Sequence, residues 1–378
     1  MTMTAAPDVD VTDHRGSWIP TWAMISTRIM ELRRRRALMI ALIAVNIGLP
    51  SLFLLIRLIA HAVDPKSYGP AGGYTIFTIL TAGVMFTFGY IVAATLGATA
   101  GSVDLQEGMF RHLVVTGRSR LALYLARIPA GLAIVVPMVL AGFAIVCAVC
   151  VFAAPTKINY QGATIPSGLN EQQFKAWAVE HPNQVLCNFN FGANIPSVLV
   201  TAKCGNHGFS VTGPRGSGVT VKKATPAQID ATVAKIAQQN FAAYEQLFLA
   251  PPFSLMVTTL GWLELEAVIG LVVGLGFSSL IGQRTIAVIT MIVVELILTP
   301  VFSRNVIPHV VNLQRILIVG LAMAHIEPAR LPSTIGGNGP GNVRMLVPES
   351  ITVAWIVIVG WLVGWTALGA WRMMTRDV

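Results

Sequence analysis

An all-α polytopic membrane protein is what this sequence predicts: six transmembrane helices, an N-terminal interfacial helix and a small α+β extracytoplasmic insert. Three observations carry that reading. Only 11% of the 378 residues are charged and 54% are hydrophobic, whereas a soluble domain carries about 25% charge. The apolar residues gather into runs of about 20 or more, the length a helix needs to cross a bilayer. Arginines stand at alternate ends of those runs, the pattern that sets orientation. The formal charge of +9 is therefore a topology signal. No soluble stretch with a basic face, which a nucleic-acid binder needs, is evident.

Residues 1–16 are small and polar with scattered acids and are expected to be disordered. With the first apolar run longer than about 20 residues, no cleavable signal peptide is expected. Residues 17–36 form an amphipathic helix: Trp18, Trp22, Ile25, Ile29 and Leu32 recur at steps of four and three, with Thr21, Arg28 and Glu31 off the stripe. Such a helix lies in the membrane interface with its tryptophans at headgroup depth. Packing on a soluble partner is the other reading of the stripe, and the run Arg33, Arg34, Arg35 and Arg36 favours the membrane.

Residues 37–153 hold the first three spans, about 37–59, 74–100 and 121–152, with Pro50, Pro129 and Pro137 inside them. Membrane helices tolerate such prolines. Residues 154–250 break the pattern as a polar insert, which the orientation places outside. There Asn170 caps the helix EQQFKAWAVEH before Pro182, and Thr225 and Pro226 open a helix that runs to Pro251. FSVTG and GVTVKK between them read as strands. Cys187 and Cys204 both fall in the insert, where a disulfide is the default and is worth about 3 kcal/mol; two free thiols are the alternative. Cys147 and Cys150, in an apolar helix, read as buried structural cysteines. Residues 251–378 hold spans at about 253–281, 286–302 and 351–371. Between the last two, residues 303–348 contain an apolar run interrupted by Gln314 and Arg315, read as outer re-entrant or interfacial helices. Both termini then lie in the cytoplasm.

The stretch from Ser102 to Arg127 joins the second and third spans. Asp104 is placed to cap a short helix over 104–116, with Glu107 completing a capping box. Phe110, Leu113 and Val114 recur at helical spacing, Arg111 and His112 point elsewhere, and Gly117 stops the helix. Spacing alone leaves two readings open: a helix built to be pushed on, or a polar loop that sets topology.

The segment EGMFRHLVVTGRSRLALYLAR, through Gly108, Phe110, Arg111, Leu113, Thr116, Gly117, Ser119 and Arg120, resembles the cytoplasmic loop between spans two and three in the permease subunit of type-2 ABC exporters. Gly117 stands where that family commonly has proline. The basic interfacial helix is similar to its connecting helix, and the six-span order with an outer helical segment before span six also matches. Only residues 154–250 have no counterpart. The resemblance implies one half of a dimeric pore in the cell's inner (plasma) membrane, completed by a second permease copy, identical or related. It implies a cytoplasmic ABC ATPase subunit that holds ATP and Mg, with Asp104, Glu107, Phe110, Arg111 and Leu113 docking on it. The chain itself carries no G-x-x-x-x-G-K-[ST]. GPRGSGVT, starting at Gly213, lacks the lysine. No nucleophile–base pair or metal-ligand spacing stands out, so neither catalysis nor a resident cofactor or metal is expected.

Glu264, Glu266 and Glu295 lie inside apolar runs, where charges are costly and mark function. Glu295 falls about 15 Å into its span. A substrate or proton site is one reading; a structural hydrogen bond, or pairing with an arginine such as Arg127, is the other. Phe86, Phe88 and Tyr90 either line an apolar substrate path or face lipid and neighbouring helices. Gly83, Gly89, Ala93 and Gly97 are expected to let a second copy approach the second span. The competing function is an ion-coupled secondary carrier using these glutamates, although no inverted repeat relates the two halves. A membrane-anchored binding protein is a third reading, for which six spans are excessive.

Overall fold

The computed structural model describes residues 18–64, 71–106, 119–154, 157–160, 163–166, 168–182, 200–204, 207–211, 226–241, 244, 250–304, 306–328, 331 and 346–375. Among these, six helices are long and apolar enough to cross a membrane: Arg36–Val63, Tyr74–Val103, Arg120–Phe152, Phe253–Ile281, Arg284–Ser303 and Ile351–Thr375. They match the expected spans and are numbered one to six below.

Three spans contain a π-helical turn, at Ala44–Gly48, Ile79–Met85 and Val294–Leu298. Two of these turns have a proline just after them, Pro50 and Pro300. Proline offers no N–H to the carbonyl four residues back and crowds it with its ring. Those carbonyls belong to Asn46 and Leu296, inside the π turns, so a wider local winding is the response.

The chain divides into two compact units. The first comprises Met1–Pro50, Thr81–Phe143 and Val257–Val378. Its N-terminal helix, Trp22–Arg34, is shorter than the expected 17–36, so that Trp18 lies ahead of it; the helix buries only Leu32, and Trp18 and Trp22 are exposed. Arg28 pairs with Glu31 at 2.6 Å. Span five packs on span two, and Gly142 of span three abuts the Asn46 carbonyl so closely that a Cβ would not fit. After span five come two short helices, Val311–Leu317 and Val319–His325. Gln314, the residue that interrupts the apolar run, is buried; its amide donates to the Phe302 carbonyl (3.1 Å) and its oxygen accepts from the Ile307 N–H (3.2 Å). It thus satisfies a carbonyl left open at the end of span five. Arg315 Nε donates to the Pro348 carbonyl at 2.8 Å, fixing the chain just before span six. Burial pushes the Glu349 carboxyl above the usual carboxylate range, partly offset by His325, 4.0 Å away, and by Arg315.

One expectation is corrected here. Asp104 does not cap a separate helix, because the span-two helix continues unbroken from Phe86 to Gln106. Extending an existing helix by one residue is far easier than nucleating a new turn, and Thr99 and Ser102 bond back onto their own helix at 2.8 and 2.7 Å. Glu107, Phe110, Arg111 and Leu113 lie outside the described residues.

The second unit comprises Ser51–Leu80 and Ala144–Met256. Gly73, at φ +92°, donates to the Cys150 carbonyl at 2.8 Å, a backbone conformation that favours glycine. Strand β1 (Lys157–Tyr160) pairs antiparallel with β2 (Ala163–Pro166), and β3 (Val200–Cys204) with β4 (His207–Val211). β4 contains the start of FSVTG; GVTVKK, Cys187 and with it the Cys187–Cys204 pairing lie outside the described residues. Cys147 and Cys150 are free, and Cys150 is buried.

The helix Glu171–Glu180 carries the expected cap. The Asn170 side chain accepts from the Gln173 N–H (2.8 Å), and the Gln173 side chain accepts from the Asn170 N–H (3.0 Å). The helix Pro226–Gln239 packs on it; after a turn at Asn240, Phe241 and Tyr244 are again helical, and residues 242–243 and 245–249 of the expected helix lie outside the described residues. At that turn both the backbone N–H and the side-chain amide of Asn240 donate to the Ile236 carbonyl, at 3.0 and 2.9 Å, and the Tyr244 N–H donates to the Asn240 carbonyl at 2.9 Å. Phe174 is fully buried and stacks on Tyr244 at 4.2 Å. The Tyr244 hydroxyl donates to the Pro166 carbonyl (2.7 Å) and accepts from the Leu169 N–H (3.1 Å). Burial pushes this hydroxyl above its usual range, with the Leu169 bond pulling the other way. Phe174→Ala is expected to destabilise this unit by about 3–5 kcal/mol and Tyr244→Phe by about 1 kcal/mol. Denaturant titration of the full chain, followed through Trp177 fluorescence, measures both. Equal, small effects would show that the ring stack is not a core.

Candidate functional site

The site grows out of a close contact between two glycine-bearing helices in the first unit. On span two, Gly97 and Gly101 are four residues apart; on span four, Gly270 and Gly274 are likewise. Gly97 abuts the Leu271 carbonyl and Gly274 the Ala94 carbonyl, with no room for a Cβ at either. At Gly101 a Cβ would meet the Leu275 carbonyl at 2.6 Å, and at Gly270 the Tyr90 carbonyl at 2.6 Å. Small residues at this spacing let two membrane helices touch backbone to backbone. The expectation that Ala93 and Gly97 serve a second copy is corrected: Ala93 lies against Gly270 and Gly97 against Leu271, within one chain. A Cβ added at Gly89 would meet nothing within 4 Å.

The side chains one or two turns along are held in the same contact. Phe86 and Trp262 stack face to face, centroids 4.2 Å apart and planes 8° from parallel. Tyr90 follows Phe86 by four residues and Glu266 follows Trp262 by four, so each pair shares a helix face. Tyr90 is 1% exposed, and its hydroxyl donates to the Met291 sulfur of span five at 3.6 Å. Glu266 is 1% exposed and Glu295 4% exposed, and the two carboxylates interact electrostatically with each other and with Tyr90. Glu295 stands in the π turn Val294–Leu298 and takes a hydrogen bond from the Thr299 hydroxyl. Neither oxygen of Glu266 has a hydrogen-bond partner among the described residues.

The short helix Val319–His325 closes over this group. Its residues 319–324 are all buried. A Cβ at its Gly320 would lie 2.5 Å from the Thr299 methyl, and its Met323 carbonyl accepts the Trp262 indole N–H at 2.9 Å.

The sequence-predicted residues therefore divide. Glu266 and Glu295 come together; Glu264, two residues away on a different face, has one buried unpartnered oxygen and is half-buried. Phe86 and Tyr90 are packed inside, whereas Phe88 is 39% exposed. The pairing of a glutamate with Arg127 is corrected: Arg127 is buried but donates to the Gly101 carbonyl at 3.2 Å. Trp262, Thr299 and the Gly270/Gly274 pair were missed, although the glycine spacing on both spans was a readable signal. Among the described residues no cluster of three or more His, Cys, Asp or Glu is arranged to hold a metal ion. No protein-family model, curated protein or solved structure matches this chain.

Proposed function

We propose that the chain is the transmembrane permease subunit of an ATP-driven ABC exporter, one half of a dimeric translocation pathway. The observation that carries this reading is the segment EGMFRHLVVTGRSR, lying between the second and third of six helices long and apolar enough to span a membrane. In this reading the chain sits in the inner (plasma) membrane with both termini cytoplasmic. The helix Trp22–Arg34 lies in the interface, which the exposed Trp22 at its start, the exposed Trp18 just before it and the arginines at its end support. Glu107, Phe110, Arg111 and Leu113 dock on a cytoplasmic ATPase that binds ATP and Mg, and a second permease copy completes the pore. Rigid-body tilting of the spans then follows ATPase dimerisation.

The decisive experiment captures the tagged chain from membranes together with a soluble Walker A protein encoded beside it. The complex is then reconstituted in vesicles and assayed for ATP-driven transport. A second reading, an ion-coupled secondary carrier, is favoured by one observation: two buried carboxylates without an ion pair among the described residues. Transport driven by an imposed proton gradient, with no ATPase bound, would replace the first reading by the second.

The insert, outside the cytoplasm in this orientation, is expected to hold a Cys187–Cys204 disulfide. Non-reducing peptide mapping of the purified protein should recover the linked fragment. Two thiols open to alkylation in the native chain would rule it out.

A further inference from the structure

We propose that Glu266 and Glu295, backed by Tyr90 and the stacked Phe86 and Trp262 rings, form the receptor for the charged centre of a lipophilic organic cation. This names the substrate class of the pathway and rests on the transport reading above.

Four features point to such a ligand. The first is uncompensated charge. Glu266 is 1% exposed, and among the described residues neither of its oxygens meets a donor, while Glu295 has only the Thr299 hydroxyl. No lysine, arginine or histidine pairs with either among the described residues; Arg127, the buried cation of this unit, bonds Gly101 instead. A carboxyl buried in apolar surroundings either keeps a proton or is matched by a cation, and the described residues supply no such cation, which leaves the place open to a ligand's charge. The second is the ligand set. Two carboxylates with no third acid or histidine grouped with them among the described residues fall short of the six or more oxygens that a hard divalent ion takes. A diffuse monovalent cation needs fewer.

The third is the wall. The stacked pair one turn from Tyr90 and Glu266 offers flat apolar surface, and aromatic groups favour cations whose charge is spread over hydrocarbon. Tyr90, whose O–H is spent on a thioether sulfur, a weak acceptor, adds a third aromatic ring. The fourth is local backbone. Glu295 stands in a π turn, a feature frequent at functional sites. The group is closed in this conformation, capped by the short helix Val319–His325. Loading and release therefore need spans two, four and five to part, as alternating access requires.

The test measures binding of tetraphenylphosphonium to the purified full chain in lipid discs, by equilibrium dialysis, with no ATPase present. Triphenylphosphine oxide, of similar shape and no charge, is the comparison. The wild type is expected to bind the cation at least tenfold more tightly than the oxide. Glu266→Gln and Glu295→Gln are each expected to erase that preference while leaving oxide binding and the melting temperature unchanged or improved. Equal affinity for cation and oxide in the wild type would show that the pair holds only a proton, and would overturn the proposal. A preference that survives both substitutions would place the cation elsewhere and overturn it as well. Should a glutamine variant fail to fold, Tyr90→Leu and Trp262→Leu report on the wall; unchanged cation preference in both counts against the site. Because no ATPase enters this assay, a negative result leaves the exporter reading standing. Failure to capture an ATPase likewise leaves the cation result standing.

Discussion

Gly274→Val is expected to prevent spans two and four from closing on one another. The added Cβ would collide with the Ala94 carbonyl, and the Ala94 Cα and carbonyl carbon lie at 2.9 and 2.8 Å from it. Backbone has no rotamer to yield with, so the helices must separate along their whole contact. Overpacking of this kind costs about 3 kcal/mol or more. Gly97→Val, against Leu271, should behave alike. Gly261→Val on the same span four is the control, since a Cβ there meets nothing within 4 Å. Thermal denaturation of each purified variant in detergent, read by size-exclusion recovery, separates them. Equal melting of the 274 and 261 variants would mean the contact is absent in solution.

The second large effect concerns the partner. Phe110→Ala should cost about 2 kcal/mol of ATPase binding, as loss of an aromatic anchor commonly does, or roughly thirtyfold in affinity. All six spans should still insert. Glu107→Ala should be milder, because a charged side chain at the edge of a contact is worth less than a buried aromatic anchor. Co-purification of the ATPase with each variant, followed by hydrolysis assays, reads both, and a substitution in the insert provides the unaffected comparison. Normal assembly and transport by the Phe110 variant would reduce the stretch to a loop that sets topology.

The spans were legible because membrane helices announce themselves locally, through a long apolar run with every backbone group satisfied inside it. The Asn170 cap was legible for the same reason: its partners lie three residues apart. What escaped was non-local. Gly97 was read as a surface for another molecule because spacing reports a close contact without saying with whom, and its partner Leu271 lies far along the chain. Asp104 was read as a cap because its type and its distance from Glu107 fit. The helix already running through it decided otherwise. The glutamates were singled out one at a time, yet only the folded chain joins Glu266 to Glu295 and leaves Glu264 on a separate face. Gln314 and Arg315, read only as interruptions, prove to tie down the ends of spans five and six.

The π turns carry a consequence for how this chain tolerates changes in length. A π turn holds one residue more than an α turn, its bonds skipping five positions instead of four. Deleting one residue within Ala44–Gly48 or Val294–Leu298 would restore α winding and leave the flanking side chains on their original faces. The same deletion elsewhere in these spans would swing everything beyond it by about 100°, carrying apolar positions inward and polar ones to the lipid. Single-codon deletions should therefore be accepted at these two places in spans one and five, and rejected along the rest of the same helices.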